Sequence, residues 1–78
     1  MIQEAKRKKV VILGSTGSVG ENAVRVALHL SDELEVVGLA AGRNYSRLAE
    51  QAQALGCKRL VISYPLLEPS LKALLPSD

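Results

Sequence analysis

An α/β fold built on a small parallel sheet follows from three features of the sequence. Apolar, strand-like runs at 10–13, 35–40 and 59–63 alternate with segments of helical spacing. The first run, Val10-Val-Ile-Leu13, is apolar at every position, as a strand covered on both faces requires. Directly behind it stands Gly14-Ser-Thr-Gly17-Ser-Val-Gly20, a glycine turn opening a helix. Strand–helix alternation of this kind implies parallel pairing through right-handed crossovers.

Taken in order, Val10–Leu13 is the first strand. Ser18–Leu30 is a helix, with Val19, Ala23, Ala27 and Leu30 near helical spacing and Glu21, Asn22 and Arg25 turned away. Ser31-Asp32 ends it. Glu35–Ala40 is a second, mostly apolar strand. Ser46–Leu55 repeats the helical pattern through Leu48, Ala52 and Leu55, and Gly56 is its C-terminal stop. Arg59–Ser63 is a third strand, and Pro69 opens a last helix that ends before Pro76. Repeats and low-complexity linkers are absent from the sequence.

Two successive right-handed crossovers running the same way put both main helices on one face of the sheet. The first strand is nevertheless apolar on both faces, and only Leu66–Leu75 is available to shield the second. A full dinucleotide-binding sheet, ordered 3-2-1-4-5-6, also pairs its first strand with a fourth. The sequence supplies no such strand. The expectation is half of a Rossmann-like dinucleotide-binding fold, βαβαβ(α) with a three-stranded parallel sheet, residues 1–78 forming one incomplete domain.

Bulk properties narrow the function. A net charge of +2 argues against general nucleic-acid binding, and Lys6-Arg-Lys-Lys9 reads as a solvated lead-in to the first strand. Two tyrosines, with no Trp or Phe, leave little on which to stack single-stranded bases. No apolar run approaches the roughly 20 residues of a membrane helix. The N-terminus lacks the apolar core of a secretory signal, and Glu4 suits a transit peptide badly. A lone cysteine, Cys57, excludes an internal disulfide and fits a reducing cytoplasm.

The glycine turn is the first candidate site. Thr16, Gly17, Ser18 and Val19 present backbone N–H groups where the next helix directs its positive end, and a pyrophosphate is the natural occupant. The hydroxyls of Ser15, Thr16 and Ser18 add potential phosphate contacts. Close helix–strand packing alone would select the same glycines; their position between strand and helix favours a nucleotide site. The G-x-x-G-x-x-G spacing is more usual in NADP-linked reductases than in simple NAD dehydrogenases.

The second site is Ala40-Ala-Gly42-Arg43-Asn44, closing the second strand. An NAD-specific fold places an acidic residue there for the ribose 2′-hydroxyl. Here Gly42 opens the backbone, Arg43 offers a planar guanidinium and Asn44 an amide, a set that suits a 2′-phosphate. An incidental arginine on a surface turn is the competing reading. His29, near a helix C-terminus, reads as structural. Cys57 reads as an ordinary thiol between helix and strand. Tyr45 and Tyr64 fall at strand ends and either flank an adenine or cap the core. No paired carboxylates mark an acid–base or metal site.

The stretches Val10–Gly20, Val36-Val-Gly-Leu-Ala-Ala-Gly-Arg-Asn44 and Leu48-Ala-Glu-Gln51 together resemble the N-terminal segment of 1-deoxy-D-xylulose 5-phosphate reductoisomerases, from about Lys8 to Ser63. The resemblance implies an NADPH-dependent oxidoreductase and isomerase of non-mevalonate isoprenoid biosynthesis, forming 2-C-methyl-D-erythritol 4-phosphate with a divalent cation, Mg²⁺ or Mn²⁺. It carries NADPH contacts to Thr16, Gly17, Ser18, Val19, Gly42, Arg43 and Asn44, and implies a homodimer for a full-length parent. The family's metal-binding carboxylates and substrate-phosphate site fall beyond Asp78, so no catalytic or metal residue is expected here. Ser63-Tyr-Pro65 replaces the acidic turn common in relatives. The alternative is a free-standing nucleotide-binding module, or a catalytically inactive remnant.

Overall fold

Valine, isoleucine and leucine at successive positions favour a strand, and a computed structural model, describing residues 7–76, places one there, with Ile12 its one buried residue. Strand β1 (Lys8–Leu13) is followed by α1 (Ser18–His29), β2 (Leu34–Ala41), α2 (Tyr45–Leu55), β3 (Leu60–Ile62), a 3₁₀ turn at Pro65–Leu67 and α3 (Glu68–Ala73). The three strands pair in parallel in the order β1-β2-β3. β1 and β2 start earlier than their apolar runs, because Lys8 pairs with Leu34 and Lys9 with Glu35 through backbone alone. β3 is shorter than expected, pairing only Leu60 to Ile62.

An irregularity sets the register. Val10 faces Val36 while Val11 faces Gly38, so Val37 is an extra residue in β2. The helix-facing row is then Val10 and Ile12 of β1, Val36, Leu39 and Ala41 of β2, and Leu60 and Ile62 of β3. Val24 and Ala27 of α1, Leu48, Ala49 and Ala52 of α2, and Leu71 of α3 close this core. Gly56, at φ +66°, ends α2 in the left-handed conformation that the expected stop requires.

Among the described residues the opposite face stays open. Val11, Leu13 and Val61 point from it, exposed by 58%, 77% and 61%. The last helix does not shield it, contrary to expectation. Leu71 inserts into the helix-side core, and Gln53 Nε2 donates to the Leu74 carbonyl at 2.9 Å, holding α3 along α2. A second correction concerns Val19, which is 82% exposed. The inward stripe of α1 is Gly20, Val24 and Ala27, spaced i, i+4 and i+7, and Val19 lies about 100° around the helix from Gly20.

The basic lead-in falls only partly within the described residues, since Lys6 lies outside them. Arg7 donates to the Ser31 carbonyl at 3.3 Å and lies 3.8 Å from Glu35, while Lys8 and Lys9 are exposed. Among the described residues no helix is long and apolar enough to cross a membrane.

The approach of α1 to β1 has a direct test. A Cβ at Gly20 would stand 2.0 Å from the Gly14 carbonyl oxygen and 2.6 Å from Ser15 Cα, contacts only backbone movement relieves. Gly20→Ala is therefore expected to lower unfolding stability by about 1–3 kcal/mol. Gly42→Ala, with open space within 4 Å, is expected to change it by less than about 0.5 kcal/mol. Urea denaturation of the two variants side by side reads the contrast, and equal midpoints would refute it.

Candidate functional site

Parallel strands bring the two glycine-bearing turns to one edge. Leu13 pairs with Ala40, and the Ser15 N–H donates to the Ala40 carbonyl at 2.9 Å, joining the turn after β1 to the end of β2. Gly14 enters that turn at φ +67°, and its carbonyl accepts from the Gly17 N–H at 3.0 Å. Gly17 is the N-cap of α1 with extended backbone, and no side chain caps the helix among the described residues. The first-turn amides of Ser18, Val19 and Gly20 thus lack intrahelical acceptors and face outward. Their direction and the helix dipole favour an anion.

The hydroxyls divide. Thr16 is half-buried and Ser18 exposed, beside those amides. Ser15 is fully buried, which removes it as a phosphate contact. Its carbonyl accepts instead from Gln51 Nε2 at 2.8 Å, a buried bond from α2 to the glycine turn. Gln51 occupies a core position of α2 and is 1% exposed. A polar residue on an otherwise apolar stripe signals such a bond in sequence, because an unpaired buried amide is costly.

At the second turn, Gly42 has neither a positive φ nor a neighbour that a Cβ would meet. Nothing within the described fold calls for glycine there. Asn44 caps α2, its Oδ1 accepting from the Arg47 N–H at 3.1 Å and the Ser46 hydroxyl at 3.2 Å. Its side-chain N–H groups stay available. Arg43 Nη2 donates to the Tyr64 hydroxyl at 3.0 Å, and its Cζ stands 4.5 Å from the centre of the Tyr64 ring. That partner is a phenol, so the guanidinium charge is not neutralised. Tyr45 is half-buried against the core.

An ion pair ties the helices beside the glycine turn. Arg47 of α2 grips Glu21 of α1 through both carboxylate oxygens, Nε to Oε2 at 2.6 Å and Nη2 to Oε1 at 2.7 Å. Glu50 takes Arg47 Nη1 at 2.9 Å. The hydrogen bond from Arg47 holds the Glu21 carboxyl below its ordinary value, and the guanidinium is held above its own. A carboxylate in the first turn of α1 would oppose an anion at that terminus; Arg47 offsets its charge.

His29 is the exposed last residue of α1. Cys57 is buried, its Sγ 3.6 Å from the Arg59 carbonyl. A cavity of about 390 Å³ lined by Ala52, Gly56, Cys57 and Leu60 opens where β3 begins, away from both glycine turns. No three His, Cys, Asp or Glu side chains converge among the described residues, so these residues do not fit a divalent cation.

A parallel βαβαβ sheet with a glycine turn and a free helix N-terminus on its carboxyl edge defines the Rossmann-like class. Comparison with known proteins specifies the family. Residues 10–78 match the family model of 1-deoxy-D-xylulose 5-phosphate reductoisomerase, and the chain belongs to that family. The enzyme of that name from Thermus thermophilus is 48% identical over 69 residues, covering 88% of this chain and 18% of the relative. That from Corynebacterium diphtheriae is 53% identical over 51 residues, 64% of this chain and 13% of the relative. A solved structure of the Zymomonas mobilis reductoisomerase in complex with NADPH superposes with a TM-score of 0.85 at 35% identity, covering 88% of this chain and 18% of that one. The chain thus spans less than a fifth of the length of these relatives.

Two outcomes test the site's internal supports. Because Glu21 has a lowered value in the fold, its pair with Arg47 contributes stability above its ordinary value of 4.5, lost as pH falls through the lower, folded value. Denaturant midpoints between pH 7 and pH 3 should therefore fall less steeply for Glu21→Gln than for the unsubstituted chain. Gln51→Leu unpairs the buried Ser15 carbonyl but also removes the buried Gln51 Oε1, which has no partner among the described residues, so it is expected to cost only about 1 kcal/mol in the same assay at neutral pH.

Proposed function

We propose that this chain binds NADPH along the carboxyl edge of its sheet, as the N-terminal cofactor-binding part, residues 1–78, of a reductoisomerase. In this reading the parent, a homodimer, converts 1-deoxy-D-xylulose 5-phosphate to 2-C-methyl-D-erythritol 4-phosphate in the cytoplasm. The observation that carries the proposal is one edge holding both an uncapped helix N-terminus and a carboxylate-free turn with Arg43. The NADPH complex of the Zymomonas mobilis relative supports it. A lone buried thiol suits a reducing compartment.

Each residue then has a task. Thr16, Gly17, Ser18 and Val19 line the pyrophosphate position, Thr16, Ser18 and Val19 through their amides, with the Thr16 and Ser18 hydroxyls beside them. Gly17 holds its own N–H on Gly14, so its share is backbone shape and close approach. Gly42, which the described fold leaves free to carry a side chain, leaves room for the adenosine ribose. Arg43 and the Asn44 amide face the 2′-phosphate. NADPH, when bound, supplies the hydride.

The open face of Val11, Leu13 and Val61 favours this reading over a free-standing module, since parallel sheets are covered on both faces. Calorimetric titration with NADPH and NADH tests the proposal. Arg43→Ala is expected to weaken NADPH about tenfold, the scale of one hydrogen-bonded charge contact, and to leave NADH nearly unchanged. Equal affinity of the unsubstituted chain for both cofactors would remove the 2′-phosphate assignment. Binding of neither would remove the proposal.

A further inference from the structure

We infer that Tyr64 is a positioning residue that aims Arg43 at the 2′-phosphate, and so sets the preference for NADPH over NADH from outside the cofactor's own contact shell. The inference rests on the cofactor reading above and adds to it a residue from a third strand exit. Arg43 is exposed at the end of β2, where an unsupported arginine samples many rotamers and loses that freedom on binding an anion. Tyr64 restrains it twice, through the hydroxyl that accepts from Nη2 at 3.0 Å and through the ring face 4.5 Å from Cζ. Four guanidinium N–H groups remain for an oxyanion.

The backbone beneath the pair is itself fixed. The Ser63 N–H donates to the carbonyls of Ala41 at 3.0 Å and Gly42 at 3.2 Å, so the exits of β2 and β3 leave the sheet together. Pro65 opens the 3₁₀ turn, in which the Leu67 N–H donates to the Tyr64 carbonyl at 2.9 Å. These bonds hold the Tyr64 backbone opposite Arg43. A phenol is suited to the task because it accepts one hydrogen bond and offers a π face without cancelling the positive charge. A carboxylate in its place would cancel it and would repel the phosphate.

The test measures NADPH and NADH dissociation constants for the unsubstituted chain, Tyr64→Phe, Tyr64→Leu, Arg43→Ala and the Arg43→Ala/Tyr64→Leu double variant. Tyr64→Leu is expected to weaken NADPH roughly two- to fivefold, the scale of an exposed cation–π contact, with NADH unchanged. Tyr64→Phe, which keeps the ring face, is expected to recover most of that loss. In the Arg43→Ala background Tyr64→Leu should add nothing, since its effect passes through the guanidinium. A parallel loss for both cofactors would mark a structural role and overturn the inference, as would no loss or a loss that persists without Arg43. If Phe and Leu cost the same, the hydroxyl bond does the aiming and the inference stands. An unsubstituted chain that does not prefer NADPH would overturn the cofactor reading itself, and this inference with it.

Discussion

Helix α1 rests its backbone on the turn after β1, and the arrangement of the sheet edge follows from that contact. At Gly20 the helix comes so near the Gly14 carbonyl and Ser15 that no side chain fits between them. A helix seated this low directs its first-turn amides across the end of β1. It also carries Val24 and Ala27 down onto the sheet. Ser15, pinned by backbone to Ala40 and by its carbonyl to Gln51, is the point where β1, β2 and α2 share one joint. A turn held from three sides keeps its shape without a ligand, which lowers the ordering cost of binding one.

Charge is arranged around that joint with similar economy. The first turn of α1 carries an acid, Glu21, where an anion is expected, and Arg47 engages both of its oxygens. Arg43, next to the α2 cap, has a phenol as its partner among the described residues. Two arginines on the same side of the sheet therefore have opposite duties. Arg47 is spent inside the fold, and Arg43 carries a charge that its phenol partner leaves unneutralised.

How much of this was legible in the sequence depended on whether a feature is periodic or pairwise. The order of elements, the parallel pairing and the glycine turn follow from apolar runs, helical spacing and Gly14, Gly17 and Gly20, all local patterns. The ends were misjudged where backbone pairing outruns the apolar run, as at Lys8 and Lys9. Val19 is read inward because it shares apolar spacing with Ala23 and Ala27, whereas the buried stripe begins at Gly20, which has no side chain to mark it. The last helix was expected on the open face because periodicity marks an apolar stripe without naming its partner; Leu71 turned it to α2. The ties Gln51–Ser15, Arg47–Glu21 and Tyr64–Arg43 join residues 21 to 36 positions apart. No local pattern encodes a pair at that distance. Gln51 in an apolar stripe and an acid in the first turn of α1 are the local oddities at two of these ties, and neither names its partner.

The strand order has a consequence for how the chain reaches this shape. Each strand pairs with the one before it in sequence, Val10 with Val36 and Leu39 with Leu60, and each helix lies on the strands it connects. No contact in the sheet waits for a segment beyond its immediate successor, so the entropy of closing each crossover is met one unit at a time. Synthesis from the N-terminus releases β1, α1 and β2 before α2 and β3, in the order in which they pack. The sheet can grow strand by strand, with the glycine turn gaining its last tie when Gln51 of α2 arrives, after Arg43 and before Tyr64.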